Sequence, residues 1–279
     1  IILIILYTLK GGIRTIILPD TLQTPFMLLA VVLSVIYISK NLDISLPKLF
    51  ATVKESSVSR MFITDWHHQR FFLKQFFSGM FITITMTGLD QEMMQKNLSC
   101  KNLKEAQKNM FTFSAILVFV NLLFLFLGAL LLIFVQSKGV VVASSDDIFP
   151  TIAIRYLGPV AGVVFLIGLI SAAFPSADGA LTSLTTSVSI DFLGLDRREG
   201  ISERTKTRIR YAVHLSIALV FFVSVLIFSA LNDRAVIDKL FTIAGYTYGP
   251  LLGLYSFGLF TRRLVNDKVT PFIAILSPL

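Results

Sequence analysis

The sequence predicts an all-α integral membrane protein, and three observations lead to this fold class. Mean hydropathy is +0.77 over the 279 residues, and 54% of the residues are hydrophobic. Only 15% are charged, against about 25% in an ordinary soluble domain. The apolar residues also form uncharged runs that are long enough, as helices, to cross a bilayer core of about 30 Å.

Six of these runs are predicted to be membrane-spanning helices. They are 15–38, 71–89, 110–135, 157–195, 211–231 and 240–260. Two shorter apolar pieces, 1–9 and 269–279, are predicted to be partial spans. We therefore expect residues 1–279 to be a fragment of a single transmembrane domain.

Lysine and arginine give the predicted orientation of these spans. Four short loops on one side of the membrane hold 15 of the 25 basic residues. Basic residues favour the cytoplasmic side, so we predict that these loops are cytoplasmic. The net charge of +8 then reflects topology and contact with anionic lipid, and no nucleic-acid partner is expected. The four loops are 10–14, 95–108, 196–210 and 261–268.

The first span and the second span contain polar residues that a lipid-facing helix would lack. Asp20, close to two prolines, either lies near the headgroups at a kinked helix start or joins a buried polar cluster. The second span mixes glycine and threonine, which indicates either a helix break that lines a substrate cavity or close packing through small residues. Its candidate substrate-lining residues are Thr85, Met86 and Thr87.

The fourth span contains a carboxylate, Asp178, among seven hydroxyl residues between Ser171 and Ser187. A carboxylate at this depth costs roughly 2.5–3.5 kcal/mol on insertion scales, so it should face a helix bundle, an ion path or a partner. Oxygen ligands of the carboxylate, hydroxyl and carbonyl types suit hard cations. The pattern therefore indicates an alkali-cation site in a membrane transporter.

The sixth span combines helix-breaking residues with two phenolic hydroxyls. Gly245, Gly249 and Pro250 lie beside Tyr246 and Tyr248. This pattern favours either a hinge or gate that the tyrosines line, or a proline kink that packs on a neighbouring helix. The two tyrosines are further candidates for lining a substrate pocket.

Two remaining features are not expected to carry chemistry. The segment from Asp65 to His68 contains two adjacent histidines, which would point to different sides of any regular element, so no metal site is predicted there. Its Trp66 is interpreted as an interfacial anchor. Cys100 is the single cysteine, which excludes an intrachain disulfide, and it is expected to be inert.

Four segments together resemble the sodium:solute symporter family. Residues 10–23 contain a Gly-Gly pair, an acid and a glutamine, and residues 88–108 are similar to the family's cytoplasmic loop with its two glutamines. Residues 171–191 and 245–253 follow in the family's order, so the resemblance covers nearly the whole chain. It implies a leucine-transporter-like inverted-repeat helical bundle that is incomplete here. Core helix five, the second repeat and part of an eleventh helix are expected, without the broken helix one.

The resemblance also implies a principal sodium site on core helix eight. Its positions match Ala172, Pro175 and Ser176. Proline removes one expected hydroxyl ligand, but it also leaves the carbonyl of Ser171 without a helical hydrogen bond. That carbonyl oxygen could replace the missing hydroxyl.

Some members of the family have a second sodium site, whose positions match Asp20, Asp178 and Gly179. The helix-five acid is kept, one family hydroxyl becomes a carboxylate, and another becomes glycine. Two carboxylates around one cation would bind it more strongly than one, or one of them would be protonated when the site is empty.

The expected function is sodium-coupled symport of a small solute across the lipid bilayer by alternating access, without enzymatic chemistry. Leu117 occupies the position of a lysine that contacts substrate in the sugar-transporting branch, which argues against a sugar. Two alternatives stay open: a transporter-like membrane sensor, and a proton-coupled carrier that uses Asp20 and Asp178. A multi-pass protein of a bacterial inner membrane is expected, and the oligomeric state is left open.

Overall fold

The computed structural model describes residues 2–60, 62–198, 200–231 and 236–278. Side chains at 2–4, 6–20, 22, 175, 231 and 236–241 lie outside that description. All regular secondary structure in the described residues is helical, as the sequence predicts. The α-helices are α1 (Ile2–Leu42), α2 (Leu46–Glu55), α3 (Phe72–Gly88), α4 (Gln91–Leu98), α5 (Leu103–Lys138), α6 (Ile148–Arg155), α7 (Pro159–Ser187), α8 (Glu203–Leu231), α9 (Val236–Phe260) and α10 (Thr270–Leu276).

The chain divides into two compact units. Unit 1 is formed by Ile1–Ser59 and Cys100–Asp233, which contain α1, α2 and α5 to α8. Unit 2 is formed by Arg60–Ser99 and Arg234–Leu279, which contain α3, α4, α9 and α10. The assignment of the whole chain to one transmembrane domain stays a prediction.

Helix α1 differs from the sequence-based expectation at its start. We expected a partial span at 1–9 and a loop at 10–14 before the first full span, but one helix runs through this region from Ile2 to Leu42. Gly11 and Gly12 weaken a helix by about 1 kcal/mol each without ending it, and Lys10 and Arg14 are good helix formers. At 1.5 Å per residue, α1 is about 60 Å long, roughly twice the bilayer core.

Each of the six predicted spans coincides with one long helix. Within the described residues, four segments are long and apolar enough to cross a membrane: Gln23–Leu42, Leu103–Lys138, Pro159–Phe192 and Glu203–Ala230. Only 11% to 33% of each segment is buried, so most of its apolar surface is available to lipid or to other helices. The crossings at α3 and α9 stay predictions.

The core of unit 1 shows that α1 and α7 are antiparallel. Val31 and Ile38, near the end of α1, share a buried cluster with Ala161 at the start of α7. Ile5, near the start of α1, belongs to a second cluster with Leu181, near the end of α7. The α1–α7 pair is the most extensive helix pair in the unit.

Local signals in the sequence set the ends of two long helices of this unit. Asn102 caps α5 by accepting a hydrogen bond from the Glu105 backbone N–H at 2.9 Å. Gly139 ends the same helix in the left-handed conformation, with φ of 61°. Gly158, with φ of 88°, and Pro159 then start α7.

Candidate cation site

Asp178 is fully buried in the second half of α7. Its exposed fraction is 0%, and Ser171, two turns earlier on the same face, is 7% exposed. The helix continues through this point without a break from Pro159 to Ser187. Gly179 is buried as well. A carboxylate is thus held inside the protein on a regular helix.

Asp178 lies between α1 and α8. Gly168 is the point where α7 meets α1: a methyl group placed on it would sit 2.4 Å from Cβ of Ala30. Leu181 packs on Ala218 of α8. With 3.6 residues per turn, Asp178 is directed about 80° from Gly168 and about 60° from Leu181. Its side chain therefore enters the junction of three helices.

If both helices continue straight from the contact of Gly168 with Ala30, their antiparallel register brings position 20 to the level of Asp178. Ala30 lies opposite Gly168, so the residue ten positions before Ala30 is level with the residue ten positions after Gly168. These residues are Asp20 and Asp178. The side chain of Asp20 lies outside the described residues, so its approach to Asp178 stays a prediction.

The same region holds further buried oxygen atoms. Gln23 Oε1 on α1, and Thr182 Oγ1 and Ser183 Oγ on α7, are buried and make no hydrogen bond within the described part of the chain. A buried polar atom without a partner costs about 1–3 kcal/mol. Carboxylate, amide and hydroxyl oxygens within apolar walls fit a hard cation such as sodium.

The structure separates the predicted sodium residues into two groups. Ser171, Asp178 and Gly179 are on the buried side of α7, whereas Ala172 and Ser176 are exposed. The side chain of Pro175 lies outside the described residues, and its backbone is part of the helix. Ala172 and Ser176 of the predicted principal site thus lie on a different side of α7 from Asp178 and Gly179 of the predicted second site.

The predicted substrate-lining residues of the second span lie on α3, in unit 2. We expected a possible helix break here, but α3 is continuous from Phe72 to Gly88. Thr85 is buried and donates its hydroxyl to the Phe81 carbonyl at 2.9 Å within the same helix. Met86 is exposed and Thr87 is half-buried. The role of these residues as a substrate lining stays a prediction.

The other predicted substrate-lining residues lie on α9, also in unit 2. This helix continues from Val236 to Phe260 with Pro250 inside it. Tyr246 lines an open, mainly apolar cavity of about 890 Å³ between α9 and α10, and Tyr248 is not part of its lining. Neither Thr85 nor its neighbours on α3 line this cavity.

Sequence reasoning missed a polar contact between α7 and α8. His214, only 5% exposed, lies on α8 with its Nδ1 3.0 Å from Thr185 Oγ1. The Thr185 hydroxyl is also 2.6 Å from the Leu181 carbonyl, to which it can donate, and the tautomer of the His214 ring decides which group donates between α7 and α8. A lone histidine within the apolar fifth span was the available signal.

The segment from Asp65 to His68 has its aromatic side chain at the surface. Trp66 is 74% exposed and contacts Phe71, with ring centroids 5.2 Å apart. Asp65 accepts a hydrogen bond from the His67 backbone N–H at 3.0 Å, which is a local turn contact. Across the described residues, no group of three or more His, Cys, Asp or Glu side chains is placed to hold a metal ion.

Comparison with known proteins gives relatives along nearly the whole chain. The Sodium/sialic acid symporter SiaT of Proteus mirabilis is 22% identical over 290 residues, covering 99% of this chain and 58% of its own length. The Sodium/pantothenate symporter of Haemophilus influenzae is 24% identical, covering 90% of this chain and 51% of its own length. The chain spans less than two thirds of the length of these relatives.

A solved structure shares the fold. It is a Na⁺-coupled sialic acid symporter in a substrate-bound, outward-open state, described as having a novel Na⁺ site. The TM-score is 0.79 at 19% identity, and the match covers 99% of this chain and 63% of the other. The expected all-helical membrane bundle is thereby confirmed.

The sequence profile of the Sodium:solute symporter family matches residues 1–268. This match confirms the resemblance that the motifs indicate, and with the four apolar helices it supports a multi-pass membrane protein. The family is one of transporters rather than enzymes. The chain belongs to the sodium:solute symporter family.

Proposed function

We propose that this chain is part of a sodium-coupled symporter that moves a small solute by alternating access. The observation that carries the proposal is the fully buried Asp178 at the junction of α1, α7 and α8. A buried carboxylate needs a compensating charge or a proton. A cation bound there would neutralise it, so sodium is the proposed coupling ion.

The predicted second sodium site fits this junction better than the first. Asp178 and Gly179 are buried on α7, and the register extended from the contact of Gly168 with Ala30 would bring Asp20 of α1 to their level. The principal site would use Ala172, Ser176 and the Ser171 carbonyl that Pro175 leaves without a helical partner. Ala172 and Ser176 are exposed on α7, so their side chains do not enter the junction that holds Asp178.

The coupling mechanism follows from where Asp178 sits. Without a cation, the ionised carboxylate disfavours close packing of the three helices around it, because a charge is costly inside apolar walls. With the cation bound, the packed arrangement is favoured. Cation binding therefore biases the equilibrium between the open and closed arrangements of the transporter, which is the basis of coupled transport.

The proposed solute is a small organic acid. The sialic acid and pantothenate symporters among the relatives are named for carboxylic acids. The proposed substrate-lining residues are Thr85, Met86 and Thr87 on α3. Tyr246 and Tyr248 on α9 complete the proposed set. The proposed location is a bacterial inner membrane.

Uptake by the full-length protein tests the proposal. The protein is reconstituted in liposomes, and entry of labelled sialic acid and pantothenate is measured under a sodium gradient or a proton gradient alone. We expect the sodium gradient to drive uptake of one of them and the proton gradient to be ineffective. Uptake that follows only the proton gradient would favour the proton-coupled carrier. Specific solute binding without uptake under either gradient would favour the sensor.

A further inference from the structure

Gln23 on α1 is not among the residues of the two sodium sites that the family resemblance implies. Its amide oxygen Oε1 is buried and has no hydrogen bond within the described residues. An amide oxygen in this condition loses its hydrogen bond to water and gains nothing in return. Buried polar atoms almost always have a partner, so this atom points to one outside the described residues, for which a bound cation is a candidate.

The position of Gln23 on α1 directs it toward α7. Gln23 precedes Ala30 by seven residues, which places both within about 20° on the same helix face. Ala30 is the residue in contact with Gly168 of α7. The antiparallel register then puts Gln23 level with position 175, about one turn from both Ser171 and Asp178 along α7.

We propose that Gln23 supplies a neutral amide oxygen to the cation held at Asp178. This inference rests on the proposed function and adds one ligand to its site. An amide carbonyl is a hard oxygen ligand, which suits an alkali cation. It is also uncharged, so it completes the coordination without adding a third negative charge beside Asp20 and Asp178.

Thr182 also has a buried hydroxyl oxygen without a hydrogen bond in the described residues, and it lies about one turn beyond Asp178 on α7. Ser34, on the same helix as Gln23, shows the contrasting behaviour. It is 3% exposed, and its hydroxyl donates to the Ala30 carbonyl at 2.8 Å. A buried polar group on α1 is thus satisfied by its own helix where no cation is proposed.

Equilibrium binding of ²²Na⁺ to the purified full-length protein, without solute, tests the inference. Gln23→Leu keeps the size of the side chain and removes the oxygen, and we expect its sodium Kd to rise about tenfold. Ser34→Ala is the matched control, and its sodium Kd should equal that of the wild type.

Three results would overturn the inference, and they differ in what else they overturn. Wild-type sodium binding with an unchanged Kd in Gln23→Leu would make Gln23 a packing residue and leave the proposed function intact. If Gln23→Leu does not fold, Gln23→Asn withdraws the oxygen by one methylene, and an unchanged Kd there is equally decisive. No ²²Na⁺ binding by the wild type would overturn the proposed function together with this inference.

Discussion

The contact between Gly168 and Ala30 gives the most specific prediction, because it fixes the register on which the cation site depends. A methyl group on Gly168 would lie 2.4 Å from Cβ of Ala30. Non-bonded carbon atoms at their best separation are about 3.5–4.0 Å apart. In Gly168→Ala, α1 and α7 must therefore separate locally by about 1.1–1.6 Å, since neither methyl group can rotate away.

The cost of that separation can be estimated against a control on the same helix. Overpacking of a tight interface costs about 1–3 kcal/mol. Gly162 is also inside α7, but a methyl group there would lie 3.5 Å from the Ala153 carbonyl oxygen, an ordinary contact. Both Gly→Ala changes gain about 1 kcal/mol of helix propensity. The difference in stability between the two variants therefore isolates the clash.

The assay is unfolding of the purified full-length protein in detergent micelles. We expect Gly168→Ala to be less stable than Gly162→Ala by about 1–3 kcal/mol. Ala30→Gly alone should cost about 1 kcal/mol of helix propensity. Combined with Gly168→Ala it should cost less than the sum of the two single effects, because the new methyl group then occupies the space that Ala30 vacates. Equal stability of Gly168→Ala and Gly162→Ala, or strict additivity in the double variant, would refute the close approach of α1 and α7.

Three further predictions concern the site and the topology. Asp20→Asn and Asp178→Asn should each weaken sodium binding. The double variant should lose less sodium-binding free energy than the sum of the two single effects, since both carboxylates act on one cation. Strict additivity of the sodium-binding free energies would exclude a shared site. Ser176→Ala should raise the sodium concentration for half-maximal uptake about three- to tenfold, which is the effect of losing one ligand as strong as a hydrogen bond. The amount of folded protein should not change. An unchanged sodium concentration would mean that Ser176 only bonds to its own helix. A cysteine at Ser202 should react with an impermeant thiol reagent only from the cytoplasm, and one at Ser145 only from outside; labelling of both from one side would contradict the predicted orientation.

The helical architecture follows from features that the sequence states directly. Long uncharged runs leave the backbone no partner in lipid except its own helix, so spans such as 110–135 could be assigned from composition alone. The predicted start of the first span differs from the start of α1, because a Gly-Gly pair with basic neighbours resembles a loop. A helix tolerates that pair when nothing in the segment caps or ends it.

The candidate site was predictable only in part. Asp178 was identified because a carboxylate within an apolar run is energetically costly and therefore indicates a functional site. The contact of Gly168 with Ala30 and the buried oxygen of Gln23 were not predicted, because both depend on which helices become neighbours and at what register. Periodicity gives the faces of a helix, and tertiary packing decides what each face meets. The exposure of Ser176 on the side of α7 away from Asp178 was not predicted for the same reason.

The central claim is that sodium is held at Asp178, between α1, α7 and α8. The most direct test is the Kd for ²²Na⁺ of the purified full-length protein, compared with that of Asp178→Asn, which keeps the shape of the side chain and removes its charge. We predict saturable binding by the wild type and a Kd at least about tenfold higher in the variant, equivalent to about 1.4 kcal/mol. The same sodium Kd in a folded Asp178→Asn protein would contradict the claim.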